Sequence, residues 1–138
     1  MNIPLHEFEL AAERLKPIVH HTALDPSTTF SRMTGGDIYL KCENRQKTGS
    51  FKIRGASNKI AAMIERGELC PVVASSAGNH AQGVAYAANM FGIPATIVMP
   101  EAAPIAKVQA TEGYGARVVL AGSCYDDAYA EACRICDE

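Results

Sequence analysis

The stretch Gly49-Ser50-Phe51-Lys52-Ile53-Arg54-Gly55 sets one lysine where a helix should begin. Ser50 is suited to cap that helix, because its hydroxyl can accept from a backbone N–H left without a partner in the first turn. From Ile53 onward, Ala56, Ile60, Met63 and Ile64 recur at helical spacing, and Gly67 after Arg66 ends the run. Lys52 then falls in the first turn, where the helix dipole opposes a cation. A lysine so placed and withdrawn from water gives up its proton more readily. A neutral amine is a nucleophile for carbonyls.

A second stretch, Ser75-Ser76-Ala77-Gly78-Asn79-His80-Ala81-Gln82-Gly83, follows an apolar run and opens another helix. Free backbone N–H groups at such a start, helped by the dipole, capture carboxylates and phosphates. Gly78 lets a ligand approach the backbone, and Ser76, Asn79 and His80 add side-chain donors. Taken alone, the stretch is equally well an ordinary helix start with Asn79 as its cap. GxGxxG and GxxxxGK[ST] are both absent, so there is no nucleotide fingerprint. A Ser/His/Asp hydrolase fits poorly because no GxSxG turn occurs.

The elements that must hold these stretches follow from pattern. Leu5, Phe8, Ala11, Ala12 and Leu15 predict an amphipathic helix over Leu5 to Leu15. His20 to Pro26 reads as extended or looped, and its adjacent His20 and His21 point apart, so they share no metal. Ser27 to Met33 reads as a short helix capped by Ser27 and ended by Gly35-Gly36. Ile38 to Cys42 alternates like a strand with one wet face. Pro71 to Ser75 and Ala95 to Met99 read as strands, with a helix from Asn79 to Phe91 between them. Pro104 opens a helix to about Glu112, in the first-turn position that proline tolerates. A strand over Ala116 to Leu120 follows. Ser123, with Asp126 three residues on, then starts a helix that turns Tyr125, Ala128, Tyr129, Ala132 and Ile135 inward. Strand and helix alternate with short connections from Pro71 onward. That predicts an α/β fold, an open parallel sheet wrapped by helices in three layers with right-handed crossovers. Ligands of such sheets bind beyond the carboxyl ends of the strands, where Ser75 to His80 lies.

With 138 residues, 48% of them apolar, 20% charged and a net charge of −2, the chain has the composition of an ordinary globular domain. Nothing in that balance suggests nucleic acid or an anionic membrane as a partner. No apolar run reaches the length of a membrane span, and the first residues lack the pattern of a secretory signal, so a cytoplasmic location is the default expectation. Five cysteines, at 42, 70, 124, 133 and 136, do not read as a disulfide framework. Cys133 and Cys136 form a CxxC with no second pair to complete a zinc site, and the expectation there is of buried structural thiols.

Together, Ser50-Phe51-Lys52-Ile53-Arg54-Gly55-Ala56 and Ser76-Ala77-Gly78-Asn79-His80-Ala81-Gln82-Gly83 resemble the tryptophan-synthase-like (fold type II) family of pyridoxal-phosphate enzymes, and within it the threonine dehydratases. Ile97-Val98-Met99-Pro100 and Lys107-Val108 look similar to that family too. The resemblance implies pyridoxal 5'-phosphate as cofactor, held by Lys52 as a Schiff base, with Lys52 then acting as the base at Cα. It implies that Phe51 packs beside the pyridine ring and that Asn79 bonds the cofactor's phenolic oxygen. Ser76, Ala77, Gly78, Asn79 and His80 would hold the carboxylate of a small amino-acid substrate. The implied reaction is dehydration of threonine or serine, threonine giving 2-oxobutanoate and ammonia. Serine racemases of this family carry a serine where Ala77 stands, and alanine cannot transfer a proton, so racemisation ranks lower. A cysteine-synthase-like replacement ranks lower again.

The resemblance also implies amino-acid metabolism, with isoleucine biosynthesis as the expected context, and a homo-oligomer in the complete protein. Family members are much longer. The glycine-rich loop that cups the phosphate, the group facing the pyridine nitrogen and any regulatory domain have no counterpart here. The chain is therefore expected to be an apparently truncated N-terminal part, inactive alone. Residues 1–48 would belong to the larger domain and residues 49–138 to a small α/β domain carrying Lys52 and the Ser-Ala-Gly-Asn-His loop. A non-catalytic α/β module of the same fold is the alternative.

Overall fold

The structure, a computed structural model, describes residues 2–138. Helix α1 (Leu5–Leu15) leads to strand β1 (Leu24–Pro26), helix α2 (Thr28–Thr34) and strand β2 (Tyr39–Lys41). Then follow α3 (Lys52–Glu65), β3 (Val72–Ser75), α4 (Asn79–Met90), β4 (Ala95–Met99), α5 (Ile105–Gly113), β5 (Arg117–Leu120) and α6 (Tyr125–Asp137).

Strands β3, β4 and β5 form one parallel sheet in that order, with Ala74 opposite Ile97 and Ile97 opposite Val118. Because strand side chains alternate between faces, each strand divides its residues between two cores. Ala74, Ile97, Met99 and Val118 join Ala56 and Ile60 of α3 and Ala81, Ala85 and Ala88 of α4 on one face. Val73, Val98 and Val119 meet Ala128 and Ala132 of α6 on the other. The result is three layers, as the pattern predicts. Residues Leu24–Pro26 and Tyr39–Lys41 pair antiparallel as a separate two-stranded ribbon, Leu24 opposite Lys41. The sequence marks the first of these only as extended or looped, and β2 is exposed at every residue rather than on one face.

Several local expectations shift. In α1 only Leu15 is buried, while Leu5 and Phe8 face outward. In α6 the phase differs: Ala128 and Ala132 are buried, but Tyr125 and Tyr129 are 57% and 55% exposed. A helix lying flat on a sheet brings its backbone close, and alanine permits that where tyrosine does not. The cap of α6 is one residue later than Ser123. Cys124 accepts from the Asp127 N–H, and the Asp127 carboxylate accepts from the N–H groups of Ser123 and Cys124. Pro104 stands at the N-cap of α5 rather than inside its first turn. The cysteines are not buried: Cys42 is half-buried and the other four are exposed. Among the described residues no helix is long and apolar enough to cross a membrane. Among them, too, no cluster of three or more His, Cys, Asp or Glu could hold a metal ion.

Candidate functional site

Helix α3 begins at Lys52 because the chain before it is already folded back. Gly49 takes a left-handed φ of 70°, and its N–H bonds to Gln46 O at 2.8 Å. Ser50 is buried and its hydroxyl accepts weakly from Lys52 N at 3.4 Å, although the N-cap position itself falls on Phe51. The Thr48 hydroxyl beside it is buried without a partner.

Helix α4 starts where β3 ends. The Ser76 N–H bonds to Val98 O at 3.1 Å, continuing the ladder one residue beyond the strand. The Ser76 hydroxyl accepts from Gly78 N at 3.3 Å. Gly78, not Asn79, is the N-cap and gives no side-chain cap, so the first N–H groups of α4 stay available. A Cβ built on Gly78 meets nothing within 4 Å, so the turn opens on free space. The Ser75 hydroxyl, buried at the strand end, has no partner.

Gly83 brings the two starts together. A Cβ there would stand 3.1 Å from the Lys52 carbonyl carbon, so α3 crosses α4 at closest approach one turn beyond Asn79 and His80. Lys52, Phe51 and His80 line one cleft of about 300 Å³ with Arg54, Gly55 and Ala56. The Lys52 ammonium stands 5.2 Å from the centre of the Phe51 ring. His80 keeps much of its surface exposed. Burial of the rest of the ring, and then the Lys52 charge, hold its pKa below the usual imidazole value. The expected withdrawal of Lys52 from water is not met. Its side chain is exposed, as is Phe51. Among the described residues no carboxylate pairs with its amine.

Three features of the site have no forecast in the sequence pattern. Lys107 of α5 approaches Asn79, its Nζ 3.5 Å from Oδ1. The family-like Lys107-Val108 pair is the available signal, but it carries no role by itself. Tyr86 of α4 stacks edge-on against Tyr114 at 5.7 Å, while Lys47 lies 5.7 Å above the Tyr86 ring, which ties the loop before Ser50 to α4. Finally, Arg54 donates two bonds of 2.8 Å to Glu43, which also accepts the Thr22 hydroxyl at 2.5 Å. The guanidinium pushes the Glu43 carboxyl down to about 2. No spacing rule links residues 22, 43 and 54.

Residues 15–138 match the family described as pyridoxal-phosphate dependent enzyme. The chain is 58% identical over 133 residues to L-threonine ammonia-lyase of Thermotoga maritima, covering 96% of this chain and 33% of that relative. It superposes on maize serine racemase with a TM-score of 0.90 at 37% identity, over 99% of this chain and 42% of that one. On the threonine deaminase isoform 2 of Solanum lycopersicum, in its processed form, the TM-score is 0.83 at 33% identity, over 99% and 39%. The chain thus spans about a third of the length of its curated relative. An amine at the start of α3, an open helix start facing it and the match over residues 15–138 agree: this chain belongs to the family of pyridoxal-phosphate dependent enzymes.

Proposed function

We propose that this chain is the N-terminal part of a threonine (serine) ammonia-lyase that converts L-threonine to 2-oxobutanoate and ammonia. The observation that carries the proposal is the shared cleft of Lys52 and His80 at the uncapped start of α4.

The residues present fit pyridoxal phosphate. An aldehyde needs a primary amine free of a carboxylate, and Lys52 offers one. An anionic oxygen needs N–H donors, and α4 begins with N–H groups that no side chain caps. Lys52 would hold the cofactor, with Phe51 against its ring and Asn79 at its phenolic oxygen. When bound, the cofactor draws off the charge left at the substrate's Cα.

The other steps belong to the chain. Ser76, Ala77, Gly78, Asn79 and His80 orient the substrate by its carboxylate, which points the Cα–H bond at the Lys52 amine. Lys52 Nζ takes that proton. Loss of the β-hydroxyl as water and hydrolysis of the resulting enamine leave the 2-oxo acid and ammonia. Ala77 carries no exchangeable proton, which favours elimination over racemisation. His80, whose pKa burial and then the Lys52 charge hold below the usual imidazole value, adds a donor to that set.

Residues 1–48 would belong to a second, larger domain and 49–138 to the small one. In support, Leu5, Phe8, Leu24, Phe30, Met33 and Tyr39 are all exposed in that first segment, an apolar surface that calls for a cover. The whole protein would be a cytoplasmic homo-oligomer in amino-acid metabolism, with isoleucine biosynthesis as the context. The test is ammonia release from threonine by the longer protein. Lys52→Ala should lower the rate by at least about a thousandfold. An unchanged rate would refute the assignment.

A further inference from the structure

The CxxC at the end of α6 is the one motif of the sequence that the ligand site leaves unused. Helix α6 turns Ala128 and Ala132 to the sheet, and Tyr125, Tyr129, Cys133 and Cys136 outward at spacings of four, four and three. The rings of Tyr125 and Tyr129 stack 6.1 Å apart. The next member of the stripe, Cys133, is the main cause of a Tyr129 phenol pKa above its ordinary value. Cys133 thus has a tyrosine one turn before it and a second exposed thiol three residues after it.

A metal does not suit the pair. Tetrahedral zinc needs more ligands than two, and no third His, Cys, Asp or Glu gathers there among the described residues. The neighbouring Arg134 is engaged by Glu131 at 2.7 Å and by Glu138, so it is not free to serve the pair. What the arrangement does provide is proximity. Cβ atoms three residues apart on a helix stand about 5–6 Å apart, and a disulfide needs about 3.5–4.5 Å. Opening the last turn of α6 out of helical geometry lets the two side chains close that gap. The turn concerned, 133–136, contributes only Ile135 to the packing against the sheet.

We propose that Cys133 and Cys136 form a surface dithiol that low-molecular-weight disulfides oxidise reversibly to an intramolecular disulfide. Cys133 is the thiol that attacks first, and Cys136 resolves the mixed disulfide it forms. The Cys133 thiolate attacks one sulfur of the disulfide RSSR, leaving Cys133 in a mixed disulfide and releasing one RS⁻. The Cys136 thiolate then attacks the Cys133 sulfur and expels the second RS⁻. The two protons lost by the cysteines end on the two released thiols. The protein loses two electrons and RSSR gains them.

The experiment is titration of the longer protein with glutathione disulfide, followed by thiol counting and peptide mass mapping. Free thiols should fall by two. The bridge should map to Cys133–Cys136, and dithiothreitol should reverse it. Cys136→Ser should instead accumulate glutathione on Cys133. The substitution replaces an exposed side chain, so helical circular dichroism and the unfolding midpoint should stay those of the parent. A bridge that involves Cys42, Cys70 or Cys124 overturns the proposal. So does a parent chain that accumulates the mixed disulfide as fully as the variant does.

Discussion

Gly83 lies beneath the peptide that joins Lys52 to Ile53. A side chain grown from it would meet the Lys52 carbonyl carbon at 3.1 Å and the Ile53 nitrogen at 3.2 Å. The atoms it would meet are backbone, which cannot swing aside like the tip of a side chain. Valine at 83 should therefore push the start of α3 away from α4 and lower stability by about 1–3 kcal/mol. Lys52 moves with that helix start. Thermal unfolding of Gly83→Val reads the first effect. An unshifted His80 titration in the variant would show that Gly83 does not set the Lys52–His80 distance.

The His80 ring should titrate below the usual imidazole value of about 6.5, because partial burial and then Lys52 oppose its charge. As pH falls through that ordinary value, the unfolded chain takes up the proton before the folded one does. Stability should therefore decline toward acid on this account. NMR of the His80 ring gives the midpoint directly, and Lys52→Met should raise it part of the way, leaving the effect of burial. A midpoint indifferent to Lys52 would separate the two residues.

Glu43 should carry the acid sensitivity of the N-terminal segment. Its carboxyl is held at about 2 by Arg54, below the ordinary glutamate value of about 4.3. For a depressed carboxylate the stabilisation is complete above the unfolded value and is lost as pH falls through the folded one. Glu43→Gln should thus cost about 1–3 kcal/mol at neutral pH. The gap to the parent should close between about pH 4.5 and 2. Paired denaturant melts across that window are the check. A gap that does not vary with pH would mean that the charge contributes nothing.

The phase of α6 predicts opposite responses to substitution on its two faces. Ala128→Leu inserts volume against Val98, which is fully buried, and should cost about 1–3 kcal/mol. Tyr129→Ala on the outer face should change stability by no more than about 0.5 kcal/mol. The reverse ranking would restore the inward tyrosines expected from helical spacing alone.

That phase shows where pattern fails. Helical spacing aligns Tyr125 and Tyr129 with Ala128 and Ala132, but the distance between helix and sheet selects alanine, and spacing alone does not encode that distance. Strand β4 is the opposite case. Pro94 and Pro100 bracket Ala95–Met99, so both ends were legible. The lysine and the Ser-Ala-Gly-Asn-His turn were legible because each is a local helix start. Their meeting across Gly83 was not, and neither was the approach of Lys107 to Asn79 from 28 residues further along the chain. The exposure of Lys52 also lay outside the pattern, because withdrawal from water depends on what covers a residue rather than on its place in a turn.

The central claim is that the Lys52 amine is the group that takes pyridoxal phosphate. Borohydride reduction of the cofactor-loaded longer protein, followed by peptide mass mapping, tests it most directly. The account predicts the reduced cofactor on the peptide containing Lys52 and on no other lysine. A label on Lys47, Lys59 or Lys107 with Lys52 unmodified would contradict it.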